Sequence, residues 1–194
     1  LNKIVHFHYK ETRNKYLSFL DYDDIWFSHA AKTLVNAINI GRYALSYGSI
    51  HCANVFYDNG LTFVRSIRDF FEMGKKSKAD LFKTNFLPLH SYMFNTSILD
   101  MDLLIYDETL ERLEDYDVLL RVARNHAVTP FAAKTLIGLY NLYSTRDGRI
   151  NTTNNFLDPT HHESDPKWEM AMTQIMEKHG GQSIQTFVGE DWVE

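Results

Sequence analysis

Two clusters of carboxylates could carry chemistry in this sequence. Asp21, Asp23 and Asp24 follow directly after the apolar pair Phe19-Leu20. Carboxylates this close repel one another unless a cation or several hydrogen-bond donors neutralise them. Carboxylate oxygens suit a hard divalent cation such as Mg²⁺ or Mn²⁺, particularly when a diphosphate supplies further oxygens. The first cluster therefore predicts a metal–diphosphate site, and an acidic turn that begins a helix is the alternative.

The second cluster lies at the start of a helical pattern. It consists of Glu114, Asp115 and Asp117, and Asp115 comes 92 residues after Asp23. A metal-binding acid cluster together with a separate carboxylate suits a reaction that needs a Lewis acid for the leaving group and a base for the nucleophile. The alternative is that these acids only stabilise the positive end of the helix dipole.

The elements that position these clusters begin with short strands and a helix. We expect strands over Lys3–Tyr9 and Tyr16–Leu20, the second of which ends in the first acid cluster. Ser28 is expected to cap a helix that Gly41 ends. Residues 44–57 have a strand pattern, and the following Asn-Gly pair at positions 59–60 lies between apolar runs, which predicts a β-hairpin.

Further strands and helices alternate along the rest of the chain. We expect a helix over Asp80–Phe86, a buried strand over Ser91–Phe94, a helix over Asp115–Arg124 and a terminal helix over Lys167–His179, whereas residues 128–143 carry both signals. This alternation predicts an α/β protein with a mixed sheet flanked by helices. Ligands of such sheets gather at the carboxyl ends of strands, where the first acid cluster lies. A change to polar composition predicts a domain over 1–155 and a C-terminal extension over 156–194.

Composition excludes several classes of protein. The 194 residues carry a formal net charge of −5, which disfavours a nucleic-acid binder because such proteins present a basic face. The single cysteine, Cys52, excludes an internal disulfide framework and fits a reducing compartment. No apolar run reaches the roughly 18 residues of a membrane span. We therefore expect a cytoplasmic protein, including one bound peripherally at the inner face of the membrane.

Three segments of the chain carry a family resemblance. Residues 16–26 are YLSFLDYDDIW, residues 85–94 are NFLPLHSYMF, and residues 106–123 contain YDETL followed by LEDYDVLLRVA. In this order they resemble the DXD segment, the segment before the acceptor-side strand and the FDE…EDYDLWLRLA stretch of family-2 glycosyltransferases. The resemblance implies a GT-A fold and an inverting transfer of a sugar from a nucleotide-sugar, with a UDP-sugar as the first candidate, to a saccharide or lipid-linked acceptor. Such an enzyme would act in the synthesis of a surface polysaccharide or glycolipid.

The resemblance also implies roles for single acids. Asp21 and Asp23 match the two acids of DXD, and Asp23 would be the direct ligand of Mn²⁺ or Mg²⁺. Asp24 would contact metal-bound water or the sugar. Asp115 would be the general base that deprotonates the acceptor hydroxyl, and Glu114 would orient it.

Several other residues are candidates for the site or for structural roles. The resemblance places His90 and Ser91 where the family lines the donor-sugar and acceptor pocket. Trp26 could stack on a sugar or pack under the following helix. Asp117 is expected to cap the helix or to pair with Arg121, four residues later on the same helix face. The pair His161-His162 could supply a metal ligand from a C-terminal loop, or the loop could be merely exposed.

Two departures from the family bear on the activity. Residues 140–143, YNLY, stand where many members have a Tyr-Arg-x-His sequence, so a metal or phosphate contact from that loop is in doubt. The family's nucleoside-binding strands should precede Tyr16 by many more residues, so we expect a partial or trimmed domain. Such a domain would leave strand edges open, so we expect it to be unstable or to self-associate through them, and to bind nucleotide weakly if at all.

Two further functions remain open at this stage. One is a non-catalytic GT-A-like domain that binds carbohydrate or serves as a scaffold. The other is a metal-dependent phosphohydrolase. The intact acid pair favours the transferase, and the short front of the chain favours the non-catalytic domain.

Overall fold

The computed structural model describes residues 15–144 and 166–180 of the chain. The sequence predictions for Lys3–Tyr9 and for His161-His162 fall outside these residues. In chain order the strands and α-helices are β1 (Tyr16–Leu17), β2 (Ile25–Trp26), α1 (Ala30–Gly41), β3 (Leu45–Tyr47), β4 (Ser49–Asp58), β5 (Leu61–Arg68), α2 (Lys78–Leu81), β6 (Tyr92–Asn95), α3 (Glu114–Asn125), β7 (Val128–Thr129), β8 (Leu136–Ser144) and α4 (Pro166–His179).

The strands form two mixed sheets, which confirms the α/β class. The first sheet has the order β1-β6-β3-β7, with β6 antiparallel to both of its neighbours and β3 parallel to β7. The second has the order β2-β8-β4-β5, with β8 and β4 parallel and both outer strands antiparallel. The sequence predicted one mixed sheet; the described residues form two. The loop with the first acid cluster connects them, since it leaves β1 in one sheet and enters β2 in the other.

The single strand predicted over 44–57 is two strands that belong to different sheets. The chain changes sheet at Gly48, whose N–H donates to the carbonyl of Ser91 (2.9 Å), while the next N–H, of Ser49, donates to the carbonyl of Thr135 (2.8 Å). A Cβ at Gly48 would lie only 2.8 Å from the side chain of Ile137. Two adjacent strands can separate here because position 48 has no side chain.

The hairpin predicted at Asn59-Gly60 is confirmed. Both residues have positive φ, 49° and 82°, as the tight turn between β4 and β5 requires. All eight residues of β5 are exposed, among them the apolar Leu61, Phe63 and Ile67. Self-association through open strand edges stays a prediction.

The helices agree with the sequence except at some of their ends. Helix α1 ends at Gly41 as expected, but its N-cap is His29 rather than Ser28, and no side chain caps it. The helix predicted over Asp80–Phe86 is the single turn α2, which begins after Ser77 with a capping box. The predictions of α3 and α4 are confirmed to within a residue at each end. No helix among the described residues is both long and apolar enough to cross a membrane.

Candidate functional site

An open cleft of about 370 Å³ lies between the acid loop after β1 and the start of α3. Its wall combines three carboxylates with aromatic and other side chains. The lining residues are Asp21, Phe71, Asn85, Pro88, Leu89, Tyr106, Arg112, Leu113, Glu114, Asp115, Tyr140 and Trp168. Both acid clusters found in the sequence therefore contribute to one cavity, although Asp21 and Asp115 are far apart along the chain.

Asp115 occupies the first turn of α3 and is half-buried. One of its carboxylate oxygens accepts the N–H of Tyr116 at 2.8 Å. Burial, followed by the negative charge of Glu114, raises the pKa of Asp115 to about 6, and Asp21 contributes in the same direction. A carboxylate with this pKa is a much stronger base than an ordinary aspartate and still ionises near neutral pH.

Asp21 lies in the acid loop, and the residue as a whole is exposed. Partial burial of its carboxyl group, followed by the charges of Asp24 and Asp23, nevertheless raises its pKa. The charge of His90 acts in the opposite direction, and that of Glu114 raises the pKa further. Among the described residues, the charged groups that act on Asp21 are therefore mainly negative.

Asp24 faces the protein rather than the cleft. One carboxylate oxygen lies 3.0 Å from Nδ1 of His90, and both side chains are almost completely buried. The other oxygen accepts the backbone N–H of Asn141 at 2.9 Å. His90 and Ser91 are fully buried and, in the described residues, neither lines the cleft where the resemblance would have put them. The Asp24–His90 pair instead connects the acid loop to the segment that enters β6.

Trp26 follows the packing interpretation. Its indole N–H donates to the carbonyl of His90 at 2.6 Å, and its side chain packs against the main core. It is not among the residues that line the cleft. The indole that does reach the cleft belongs to Trp168 on α4, which the sequence analysis placed only within the terminal helix.

Sequence reasoning also missed the contribution of β8. Asn141 donates from Nδ2 to the carbonyl of Asp23 at 2.6 Å, and its backbone N–H donates to the carboxylate of Asp24. Strand β8 therefore holds the acid loop at two adjacent residues. The ring of Tyr140 stacks on that of His90, with centroids 6.1 Å apart, and lines the cleft. The only signal in the sequence was that this stretch departs from the family pattern.

Asp117 has a structural role in the fold. It is fully buried, and its carboxylate pairs with Arg121 Nε at 3.0 Å, as the spacing predicted. Helix α4 supplies two more partners, His179 Nε2 at 2.7 Å and Lys178 Nζ at 3.0 Å. Burial alone would raise the pKa of Asp117, but these hydrogen bonds and charges outweigh it and hold the pKa below its usual range.

The residues at the cleft fit a divalent cation only as part of its ligand set. Among the described residues, no group of three His, Cys, Asp or Glu side chains converges as a metal site of its own. Asp24 is occupied by His90 and Asn141, which leaves the carboxylates of Asp21, which lines the cleft, and of its neighbour Asp23, which does not. These two hard oxygen donors suit Mn²⁺ or Mg²⁺ if a diphosphate completes the coordination.

Comparison of the chain with protein-family models, with curated proteins and with solved structures finds no match.

Proposed function

We propose that this chain is an inverting glycosyltransferase of the GT-A type, which moves a sugar from a nucleotide-sugar to a hydroxyl of a saccharide or lipid-linked acceptor. The observation that carries the proposal is that Asp21, from the DXD-like segment, and Asp115, from the EDYD-like segment, line the same cleft. A donor-side acid and a basic acceptor-side acid in one cavity are what such a transfer needs. The alternation of strands and helices in a mixed fold is compatible with it.

The transfer requires one proton movement and one displacement. Asp115 accepts the proton of the acceptor hydroxyl as its oxygen forms a bond to the anomeric carbon of the donor sugar. The bond from that carbon to the diphosphate breaks on the opposite face, and its electron pair leaves with the nucleoside diphosphate. Burial and, after it, the charge of Glu114 keep the pKa of Asp115 high. A divalent cation held by Asp23 and Asp21 would neutralise the charge of the leaving diphosphate.

The donor and the location follow from the same proposal. A UDP-sugar is the first donor to test, and surface polysaccharide or glycolipid synthesis is the class of pathway that such a transfer serves. The negative net charge of −5 supports a protein without a nucleic-acid partner. A cytoplasmic location, including a peripheral one at the membrane, suits a nucleotide-sugar donor.

The pH dependence of the reaction should report the ionisation of Asp115. Its pKa is raised to about 6, and only the ionised form can accept a proton. We expect kcat/KM to rise with pH, with a midpoint near 6, and to level off above it, because this parameter follows the free enzyme. Initial rates between pH 4.5 and 8 at saturating Mn²⁺ test this. A flat profile across this range would remove Asp115 as the base.

Asp23→Asn should weaken cation binding without harming the fold. A neutral amide is a poorer ligand for a hard cation, so we expect at least about a tenfold loss of Mn²⁺ affinity in the presence of a nucleoside diphosphate, and loss of metal-dependent transfer. Asp21→Asn should weaken activity less. Calorimetric titration measures the affinity, and Glu177→Gln on the exposed side of α4 is the matched control. Unchanged affinity in Asp23→Asn would refute its assignment as the direct ligand.

The aromatic lining of the cleft favours one alternative function. Phe71, Tyr106, Tyr140 and Trp168 could bind a saccharide without any chemistry, as in a carbohydrate-binding or scaffolding domain. The two functions differ in one measurable product. A binding domain retains saccharide but releases no nucleoside diphosphate from a nucleotide-sugar.

A further inference from the structure

The cleft has an aromatic wall that comes from the C-terminal helix. Trp168 lies in the first turn of α4, lines the cleft and is half-buried against the main core. Of the two tryptophans among the described residues, it is the one that reaches the cavity, since Trp26 is engaged with the carbonyl of His90. Trp168 thus shares the cavity with Asp115 and Glu114.

Contacts along its length fix α4 to α3 and to the segment before it. Near its start, Lys167 Nζ lies 2.5 Å from Glu111 Oε2. Near its end, Lys178 pairs with Asp107 at 2.9 Å and with Asp117 at 3.0 Å. Between them, two apolar side chains of α4 are buried in the main core, namely those of Ala171 and Ile175. The position of Trp168 is therefore set relative to α3, the helix that carries Asp115.

We propose that Trp168 binds a sugar ring of the acceptor. This inference rests on the proposed function and adds the acceptor's chemical class, a saccharide with a pyranose ring beside the reacting hydroxyl. The C–H face of such a ring packs on an indole plane through dispersion, and its hydroxyl groups donate hydrogen bonds to carboxylates. The cleft offers an indole and carboxylates together. Trp168 lies on α4, which is fixed to α3 and therefore to Asp115, rather than on the Asp21–Asp23 loop that would face the donor.

Trp168→Ala should therefore raise the acceptor KM by about tenfold, with kcat and the donor KM changed less than about threefold. Trp168→Phe, which keeps an aromatic plane, should restore most of the acceptor affinity. Met170→Ala is the control, because Met170 lies on the same helix, is exposed and does not line the cleft. Circular dichroism and melting temperatures establish that each variant is folded. An unchanged acceptor KM in folded Trp168→Ala, or an equal change in Met170→Ala, would overturn the proposal.

A binding measurement separates this proposal from the proposed function. The wild type and the three variants are applied, without nucleotide-sugar, to an array of neutral and acidic oligosaccharides. Retention by the wild type and Trp168→Phe but not by Trp168→Ala supports sugar binding by Trp168 even if no transfer activity is found. Equal retention by the wild type and Trp168→Ala, or no retention by the wild type, would contradict it.

Discussion

Replacing Asp115 with asparagine is expected to lower turnover by at least about 10²-fold and, at the same time, to stabilise the fold. General bases contribute to rates on that scale, and asparagine cannot accept the proton. The effect on stability follows from the raised pKa, about 6 in the folded chain against 3.8 for an ordinary aspartate. Because the folded state binds the proton more tightly, this residue destabilises the fold progressively as pH rises from about 4 to above 6.

At pH 7 the neutral asparagine removes that penalty. The difference of about 2 between the folded and the ordinary pKa of Asp115 corresponds to roughly 3 kcal/mol. Because the side chain is only half-buried, we expect a gain of about 1–2 kcal/mol in the free energy of unfolding. Donor binding should be nearly unchanged. Steady-state rates, nucleotide titration and urea unfolding at pH 5 and pH 7 measure the three quantities. Full turnover in Asp115→Asn, or its loss together with lower stability, would contradict the assignment.

Asp117→Asn should have the opposite signature, a large loss of stability. The substitution leaves Arg121, Lys178 and His179 beside a neutral amide in place of the buried carboxylate. Breaking a buried pair by removing one partner costs about 3–5 kcal/mol. Since the amide keeps some of the hydrogen bonds, we expect a loss of about 3 kcal/mol and looser attachment of α4 to α3.

The pH dependence of this loss has a definite sign. The folded pKa of Asp117 lies below its ordinary value of 3.8, so its stabilisation is present above that value and disappears as pH falls through the lower folded pKa. Urea unfolding at pH 7 and at pH 3 should therefore give a smaller difference between wild type and variant at the lower pH. Glu177→Gln, an exposed substitution on α4, is the matched control. An Asp117→Asn variant of full stability but with no turnover, alongside an active Asp115→Asn, would mean that Asp117 is the base.

Asp115 and Asp117 lie in the same turn of α3 but have opposite electrostatic surroundings. Asp115 has carboxylate neighbours and a raised pKa, whereas Asp117, two residues later, has two cationic partners, Arg121 and Lys178, and a lowered one. Groups in one segment whose surroundings move their pKa values apart are the usual sign of a division between reactive and structural roles. Asp107 belongs with Asp117, because hydrogen bonds from Thr109 and Lys178 lower its pKa.

Local patterns in the sequence were sufficient for several elements of this fold. The Asn59-Gly60 hairpin, helix α3 and the Asp117–Arg121 pair each depend on residues close together in the chain. The two acid clusters could also be recognised as candidates from residue type and spacing. Asp21 and Asp115 line one cleft because distant segments of the chain fold together. The motif resemblance implied this arrangement, and no local pattern could have predicted it.

The rest depended on contacts between distant segments. The chain changes sheet at Gly48, and glycine is required there by the side chain of Ile137, which lies far along the sequence. His90 looked like a pocket residue by its place in a motif, but its partners Asp24 and Tyr140 enclose it from two other elements. Likewise, nothing in the pattern of α4 indicated that Trp168, rather than Trp26, would line the cleft.

The most direct test is acceptor-dependent release of nucleoside diphosphate. The chain is incubated with Mn²⁺, millimolar UDP-, GDP- or CDP-sugars and a panel of oligosaccharide acceptors, and diphosphate release is followed for the wild type, Asp115→Asn and Glu177→Gln. We expect release with one class of donor that requires an acceptor, that is retained in Glu177→Gln and that falls at least about 10²-fold in Asp115→Asn. No release by the folded wild type with any donor, or equal release by wild type and Asp115→Asn, would contradict a glycosyltransferase that uses this cleft.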